Sequence, residues 1–410
     1  MRTRRPLRGI LKVIVPALKF IEVGARAVFI LLTTYSLDLK EAGQFGLLIT
    51  LQGLASFAFG YERHVDVMRR RSHVSPLQFD RLVAQAAVLQ GVNGFVVVPV
   101  FIAIVGVSIP LSPALVGLCA FIAFAEQWMN NAYHLAVVDN RYRAMLINAT
   151  LRSVGLAITC VLAVVDGEID LTTTIQAWAL VSAFSVISHV IIWRHFCSGF
   201  TSIESACVSL GRQYRTSFTH FAIGLVAVLT LQAERLVAGA VMSFQSSGVY
   251  FRHAVLLSMI YQFLSIASYN RVLPRIYAFS DPSALPSLLA LVRREYRNVA
   301  FSIGVFCTLM LIGFAAFGSH LEDEFKLNIY FFLLMLGVAA IRARADLNSL
   351  IFNALHREKL VFQMQFVCVI VTVVLALLLA YKFAIPGLIA AGGIGAATYL
   401  FMSTRAIRLL

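Results

Sequence analysis

Charge is scarce in this chain. Of its 410 residues 13% are charged, with 20 Asp and Glu against 34 Lys and Arg, while 60% are hydrophobic and the mean hydropathy is +0.83. Soluble domains carry about 25% charged and about 45–50% apolar residues. A soluble globular enzyme and a disordered chain are therefore both excluded. Cysteine is sparse and unpatterned. Cys119, Cys160, Cys197, Cys207, Cys307 and Cys368 form no C-x-x-C pair and mostly lie in apolar runs. That excludes a disulfide-stapled scaffold and a thiolate metal site, and leaves small buried packing residues. Also missing are the phosphate loop G-x-x-x-x-G-K-[ST], the zinc motif H-E-x-x-H and the nucleophile elbow G-x-S-x-G. These absences argue against direct ATP drive and against an enzyme, and they imply no cofactor and no metal.

What the chain does have is long apolar runs. At roughly 20 residues per membrane span, its length holds about a dozen and little else. The runs place spans at 10–34, 42–61, 82–107, 112–137, 144–165, 171–193, 217–241, 247–270, 298–318, 327–353, 360–381 and 384–404. Arg2, Arg4, Arg5 and Arg8 precede the first run, but Lys12, Lys19, Glu22 and Arg26 interrupt it and no small-residue cleavage site follows. It reads as a retained helix rather than a secretory signal. The sequon Asn148-Ala-Thr150 falls inside the fifth span and is disregarded.

The basic residues set the expected topology. Alternate loops and both tails carry 24 Lys and Arg, among them Arg63, Arg69–Arg71, Arg141, Arg143, Arg212, Arg271, Arg293 and Arg357. The opposite loops carry only Lys40, Lys326 and Lys382, with the acidic clusters Asp166/Glu168/Asp170 and Glu322/Asp323/Glu324. Positive residues stay in the cytoplasm, so both termini are expected there, and the net charge of +14 is a topology signal rather than a sign of nucleic-acid binding. Residues 281–297 are amphipathic and predict a short helix on the membrane surface. Residues 195–216 look like a linker.

The spans divide into two sets of six, giving a 1–194 bundle, a 195–211 cytoplasmic linker and a 212–410 bundle, arranged as parallel repeats. Two echoes support repetition. Glu41-Ala-Gly-Gln-Phe-Gly46 recurs 205 positions later as Ser246-Ser-Gly-Val-Tyr-Phe251, and Ala136–Arg143 parallels Asn353–Leu360. The expected fold is an all-α membrane protein of about 12 transmembrane helices in two pseudo-symmetric six-helix bundles around a central cavity.

Eleven charges lie inside spans: Lys19, Arg26, Arg152, Arg235, Arg252, Arg342 and Arg344, with Glu22, Glu126, Glu234 and Asp346. Each costs about 2.5–3.5 kcal/mol near a helix centre on insertion scales, so such residues normally face a bundle interior or a wet cavity. Lys12, Lys19, Glu22 and Arg26 share one helical face, with a Glu22–Arg26 packing pair as the plainer alternative. Glu126, Asn130, Tyr133 and His134 share another. Arg342 and Asp346 are i,i+4 neighbours, while Arg344 points elsewhere. His134 and His220 have titratable rings, yet an isolated histidine is more often a hydrogen-bonded packing residue. The basic surplus favours an anionic substrate. Arginine suits phosphate because its planar fork donates paired hydrogen bonds and keeps its charge.

The stretch Leu231-Gln-Ala-Glu-Arg-Leu-Val-Ala-Gly-Ala-Val, then Ser247-Gly-Val-Tyr250, then Val272-Leu-Pro274, resembles the seventh-to-eighth-span region of bacterial polysaccharide flippases of the multidrug/oligosaccharidyl-lipid/polysaccharide exporter superfamily. That family usually has Asp where Glu234 stands. Glu41–Gly46 is similar to its segment before the second helix. The resemblance implies a bacterial inner-membrane transporter that flips a polyprenyl-diphosphate-linked oligosaccharide by alternating access, for O-antigen, capsule or exopolysaccharide synthesis. Polysaccharide polymerase and glycosyltransferases would be its partners. The peptidoglycan-precursor flippase of the same superfamily has two further helices, which this chain lacks.

On this reading the sugars occupy the hydrated cleft, the diphosphate meets Arg26 and Arg252, and the lipid tail leaves between the first and eighth spans. Lys19, Arg235, Arg342, Arg344 and Arg63 are further substrate-binding candidates. Glu22, Glu126, Glu234 and Asp346 are candidates for coupling to H+ or Na+. Two rivals stand beside it. A multidrug-type antiporter would want an acidic cavity for cationic drugs. A membrane polymerase or acyltransferase would want a catalytic His or acidic constellation and a substantial loop.

Overall fold

A computed structural model describes residues 5–167, 169–196, 210–264, 285–317, 328–355 and 357–410. It is all-helical over these residues. The helices are α1 (Arg5–Ser36), α2 (Leu39–Gly60), the short α3 (Arg63–Arg70), α4 (Pro76–Ser108), α5 (Pro113–Val138), α6 (Arg143–Asp166), α7 (Leu171–Phe196), α8 (Leu210–Val241), α9 (Phe244–Leu264), α10 (Leu285–Phe317), α11 (Ile329–Ala354) and α12 (Glu358–Arg408). Ala384, at φ 50° and ψ −128°, breaks α12 into two arms. The break falls where Pro386 bars helical continuation, so α12 supplies the eleventh and twelfth spans. All twelve expected spans are helices over their described residues. Six elements carry a long, nearly charge-free apolar stretch. Helices α1 and α11 do not, because Lys19, Glu22 and Arg26 interrupt one and Arg342, Arg344 and Asp346 the other.

Local chemistry sets the ends. Ser75 caps α4 in a reciprocal box with Gln78 and places Pro76 at the first helical position. Ser112 caps α5 by accepting from the Leu115 amide, again with proline, Pro113, at the first helical position. Left-handed Gly167 closes α6, and the Asn328 side chain accepts from Tyr330 and Phe331 to start α11.

Two sequence expectations are corrected. The amphipathic segment 281–297 is not a separate surface helix, since its described part, 285–297, runs unbroken into the ninth span as α10. Nothing between Arg297 and Asn298 stops a helix, and its apolar face has a protein partner. Leu288 and Val292 pack on Leu347, Leu350 and Ile351 of α11. Likewise 210–216 belongs to α8 rather than to a linker. Residues 197–209, with Cys197 and Cys207, lie outside the described residues. So do Arg271, Val272–Pro274, Glu168 and the 322–324 acidic cluster.

The chain forms two compact units, Met1–Leu37 with Leu48–Val228, and Asp38–Leu47 with Leu229–Leu410. The division therefore runs through α2 and through α8. In the first unit α1 lies along α6, where Thr150 Oγ1 reaches the Leu18 carbonyl at 3.4 Å and Thr33 meets Cys160 at 3.4 Å. Asn148, the discounted sequon residue, is buried and donates to the Ser185 carbonyl at 2.8 Å.

The second unit gives the sequence echo a physical meaning. A Cβ on Gly43 would stand 2.1 Å from the Phe244 carbonyl oxygen, and one on Gly248 would stand 1.9 Å from that of Leu39. Residues 39 and 244, like 43 and 248, are 205 apart. The contact is thus reciprocal, as a twofold-related pair of helix ends requires. Glycine at both positions lets the backbones touch, the usual device for close helix crossings in membranes. In the same unit Asn348 donates to Ser403 at 3.2 Å, and Gln365 to Tyr399 at 3.3 Å, tying α11 to α12 and the two arms of α12 to each other.

Candidate functional site

The first unit concentrates its buried charge around one carboxylate. Glu126, on α5, accepts from Arg152 of α6 through two nitrogens, at 2.5 and 3.0 Å, and from the Trp178 indole of α7 at 3.0 Å. Arg26, on α1, comes within 3.2 Å of Oε2, the oxygen that also accepts from Arg152 Nη2. The side chains differ in access: Arg152 is 2% exposed, Glu126 5% and Arg26 33%. Arg152 is consequently a buried counter-ion. Arg26 makes no hydrogen bond of good geometry with any described residue, so its guanidinium keeps donors unspent beside an anion that Arg152 already neutralises. One turn away Lys19 pairs with Glu22 at 3.0 Å and lies 4.7 Å from the Tyr133 ring centre. The shared face of α1 is therefore real for Lys19, Glu22 and Arg26, but Glu22 is spent on Lys19 and Arg26 turns to Glu126.

The second unit holds a cavity of about 200 Å3. Glu234 and Arg235 of α8, Tyr250, Ser258 and Tyr261 of α9, and Arg342 of α11 line it. Glu234 accepts from the Tyr250 hydroxyl at 3.1 Å and packs on bare backbone, since a Cβ on Gly392 would stand 2.1 Å from its Oε1. Arg235 donates to Ser258, to the Ala254 carbonyl at 3.2 Å and to Gln232 at 3.4 Å. Tyr261 donates to Asp346. Arg342 is half-buried and its charge acts on both Glu234 and Asp346, yet it makes no hydrogen bond or 4 Å ion pair with a described residue. The i,i+4 spacing of Arg342 and Asp346 thus does not close into a direct pair. The cavity joins two arginines, one carboxylate and two phenols, and Tyr261 links it to a second carboxylate, Asp346, a set able to hold a small ion or move a proton.

The remaining candidates scatter. Arg252 is 5% exposed on α9 and is covered in this conformation. The neighbouring His253 donates from Nδ1 to the Val249 carbonyl at 2.7 Å and accepts at Nε2 from the Asn328 amide at 3.0 Å, which defines it as neutral imidazole. Arg344 stacks over Tyr296 at 4.9 Å, away from the cavity. Arg63 is 4% exposed and donates from Nη1 to Asp66 at 2.5 Å and to Thr216 at 3.2 Å. Trp178, Tyr250, Ser258 and Tyr261 were not legible as functional residues. An aromatic or hydroxyl residue inside an apolar run looks the same whether or not it meets a buried carboxylate. Among the described residues no group of three or more His, Cys, Asp or Glu is placed to hold a metal.

No protein-family model matches the chain, and no curated protein does. Solved structures do match. The lipid II flippase MurJ in an inward closed conformation aligns over 98% of this chain and 88% of its own, with a TM-score of 0.70 and 10% identity. An inward-facing MATE-family multidrug resistance transporter of the MOP superfamily aligns over 98% and 97%, with a TM-score of 0.69 and 10% identity. The MATE multidrug transporter DinF-BH aligns over 99% and 96%, with a TM-score of 0.61 and 14% identity. The chain shares the fold of these solved transporters.

Proposed function

We propose that this protein is a multi-pass transporter of the bacterial inner membrane, both termini cytoplasmic, that flips a polyprenyl-diphosphate-linked oligosaccharide for surface-polysaccharide synthesis. The observation that carries the reading is Arg26, a span arginine one-third exposed that approaches at 3.2 Å a carboxylate Arg152 already holds and donates no hydrogen bond of good geometry to a described residue. A diphosphate supplies the acceptors such a fork lacks. The fold supports transport, and the basic surplus within the spans supports an anion as cargo. Arg26 and Arg252 meet the diphosphate, and Glu234 and Asp346 couple the cycle to H+ or Na+. The polymerase and the glycosyltransferases of the same polymer are its partners.

A multidrug-type antiporter is the second reading, favoured by the MATE likeness and by Glu234 in the second-unit cavity with Asp346 behind Tyr261. Reconstituted vesicles loaded with a fluorescent polyprenyl-diphosphate glycan separate the two. Wild type is expected to flip the lipid, and Arg26→Ala with Arg252→Ala to lose flipping at normal protein levels. Full transport by the double variant refutes the diphosphate assignment, and efflux of a cationic dye without lipid flipping establishes the antiporter. Undiminished flux with both ion gradients collapsed removes the coupling role of Glu234 and Asp346.

A further inference from the structure

We propose that Glu62 and His64, at the junction of α2 and α3, form a one-proton site whose occupancy governs the docking of the first half of α8 within the first unit. Coupling was assigned above to carboxylates inside spans. This site lies outside them, at the end that carries the basic loops.

The junction is built to bury a carboxyl. Tyr61 and Glu62 both take left-handed backbone angles, φ 48° and 50°, which residues with a Cβ adopt at a cost. The turn puts Glu62 beneath α8. A Cβ on Gly224 would stand 3.2 Å from Glu62 Cγ and 2.6 Å from the Phe57 ring, so no hydration layer separates the two helices there. An aromatic cover completes it. Phe221 stacks on Tyr61 at 4.3 Å and on Phe57 at 5.3 Å, and Tyr214 meets Tyr61 edge-on at 5.1 Å. The Glu62 side chain is left 23% exposed and accepts no hydrogen bond from a described residue.

The groups facing it limit the charge the site can carry. His64 Nε2 lies 3.7 Å from Glu62 Oε2. From α5, His134 stacks on His64 at 4.0 Å. The charge of His220, on α8, bears on His64, and that of Lys19, on α1, on His134. Two rings at 4.0 Å resist being charged together. The Arg63 guanidinium next door is spent on Asp66 and Thr216. With α8 docked, the pair is therefore most stable holding one proton between them.

Burial raises the Glu62 carboxyl to about 7. Burial, and then the charge of His220, lower His64 to about 4. Undocking uncovers Glu62, whose ordinary value is near 4.5, and takes the His220 charge from His64, while His134 of α5 still covers the His64 ring, so His64 moves only part of the way toward 6.5. The signs oppose. Glu62 favours docking at low pH and loses that contribution as pH rises through 7, whereas His64 penalises docking below about 6.5. Together they hold the wild-type change between pH 8 and pH 6 below the roughly tenfold that Glu62 alone would give, with about twofold as the floor. Removing one partner exposes the other. His64→Asn is expected to strengthen docking about tenfold over the same interval, and Glu62→Gln to weaken it by up to about fourfold, reversing the sign.

The test is hydrogen exchange of the amides of residues 214–224 in the full chain in nanodiscs at pH 6, 7 and 8, corrected for intrinsic exchange. Protection rising toward pH 6 more steeply in His64→Asn than in wild type, and falling in Glu62→Gln, supports the site. Responses of the same sign in all three proteins overturn it, as does protection independent of pH in both variants. If Glu62→Gln is poorly folded by its melting curve, the steepened response of His64→Asn decides alone. The proposal rests on the transporter reading only for its use, docking with proton uptake during a cycle. Exchange needs no substrate, so the site and the flippase reading fail separately.

Discussion

Arg26 and Arg152 touch the same carboxylate, and the structure assigns them opposite costs. Arg152→Ala takes two nitrogens from Glu126 and leaves a carboxylate that is 5% exposed facing Trp178 and a half-satisfied partner. Breaking a buried pair by removing one member costs about 3–5 kcal/mol. Arg26→Ala removes a partner that is 33% exposed and adds no hydrogen bond to the network; ion pairs of that exposure contribute at most about 1 kcal/mol. Thermal unfolding of the detergent-solubilised chain, followed by circular dichroism, is therefore expected to show a clear fall in midpoint for Arg152→Ala and almost none for Arg26→Ala. Replacing both partners, Glu126→Leu with Arg152→Met, is expected to recover most of the loss, since apolar groups of similar volume substitute for buried ion pairs at little cost. Flipping is expected to follow the reverse order in the single variants. Equal destabilisation by the two single variants refutes the division into a structural and a substrate-facing arginine. So does a double variant that loses the sum of its parts, because groups in one pair should be strongly non-additive.

Gly248→Ala places a Cβ 1.9 Å from the Leu39 carbonyl oxygen, so the crossing must open by more than about 1 Å and lose about 1–3 kcal/mol. Gly43→Ala is expected to cost a similar amount and the pair less than the sum, because one opening relieves both clashes; additive melting shifts contradict the reciprocal contact. Tyr261→Phe removes the hydroxyl that donates to Asp346 and is expected to cost about 1–3 kcal/mol. Combining it with Asp346→Leu should recover part of that loss in the same melting assay, and no recovery means that the hydroxyl serves another group.

The amino-acid order alone was enough for the twelve spans, including the division between 381 and 384, because an apolar run long enough to cross a membrane is a local property of the chain. It also exposed the 205-residue echo, although only the folded chain shows why glycine recurs there: Gly43 and Gly248 each lie against the backbone of the other's helix. The amphipathic stretch before the ninth span misled, since an apolar face does not say whether a bilayer surface or, as here, α11 covers it. The charged residues divide in the same way. That they would be buried or wet follows from the cost of placing charge in lipid, a property of each residue by itself. That Arg152 donates twice to Glu126 while Arg26 only approaches it, that Asp346 accepts from Tyr261, and that rings from α8 cover the turn holding Glu62 and His64 depends on side chains from helices far apart in sequence. Linear spacing does not encode distances across helices, so tertiary packing alone decided which charges are spent within the fold and which are left for a ligand or a proton.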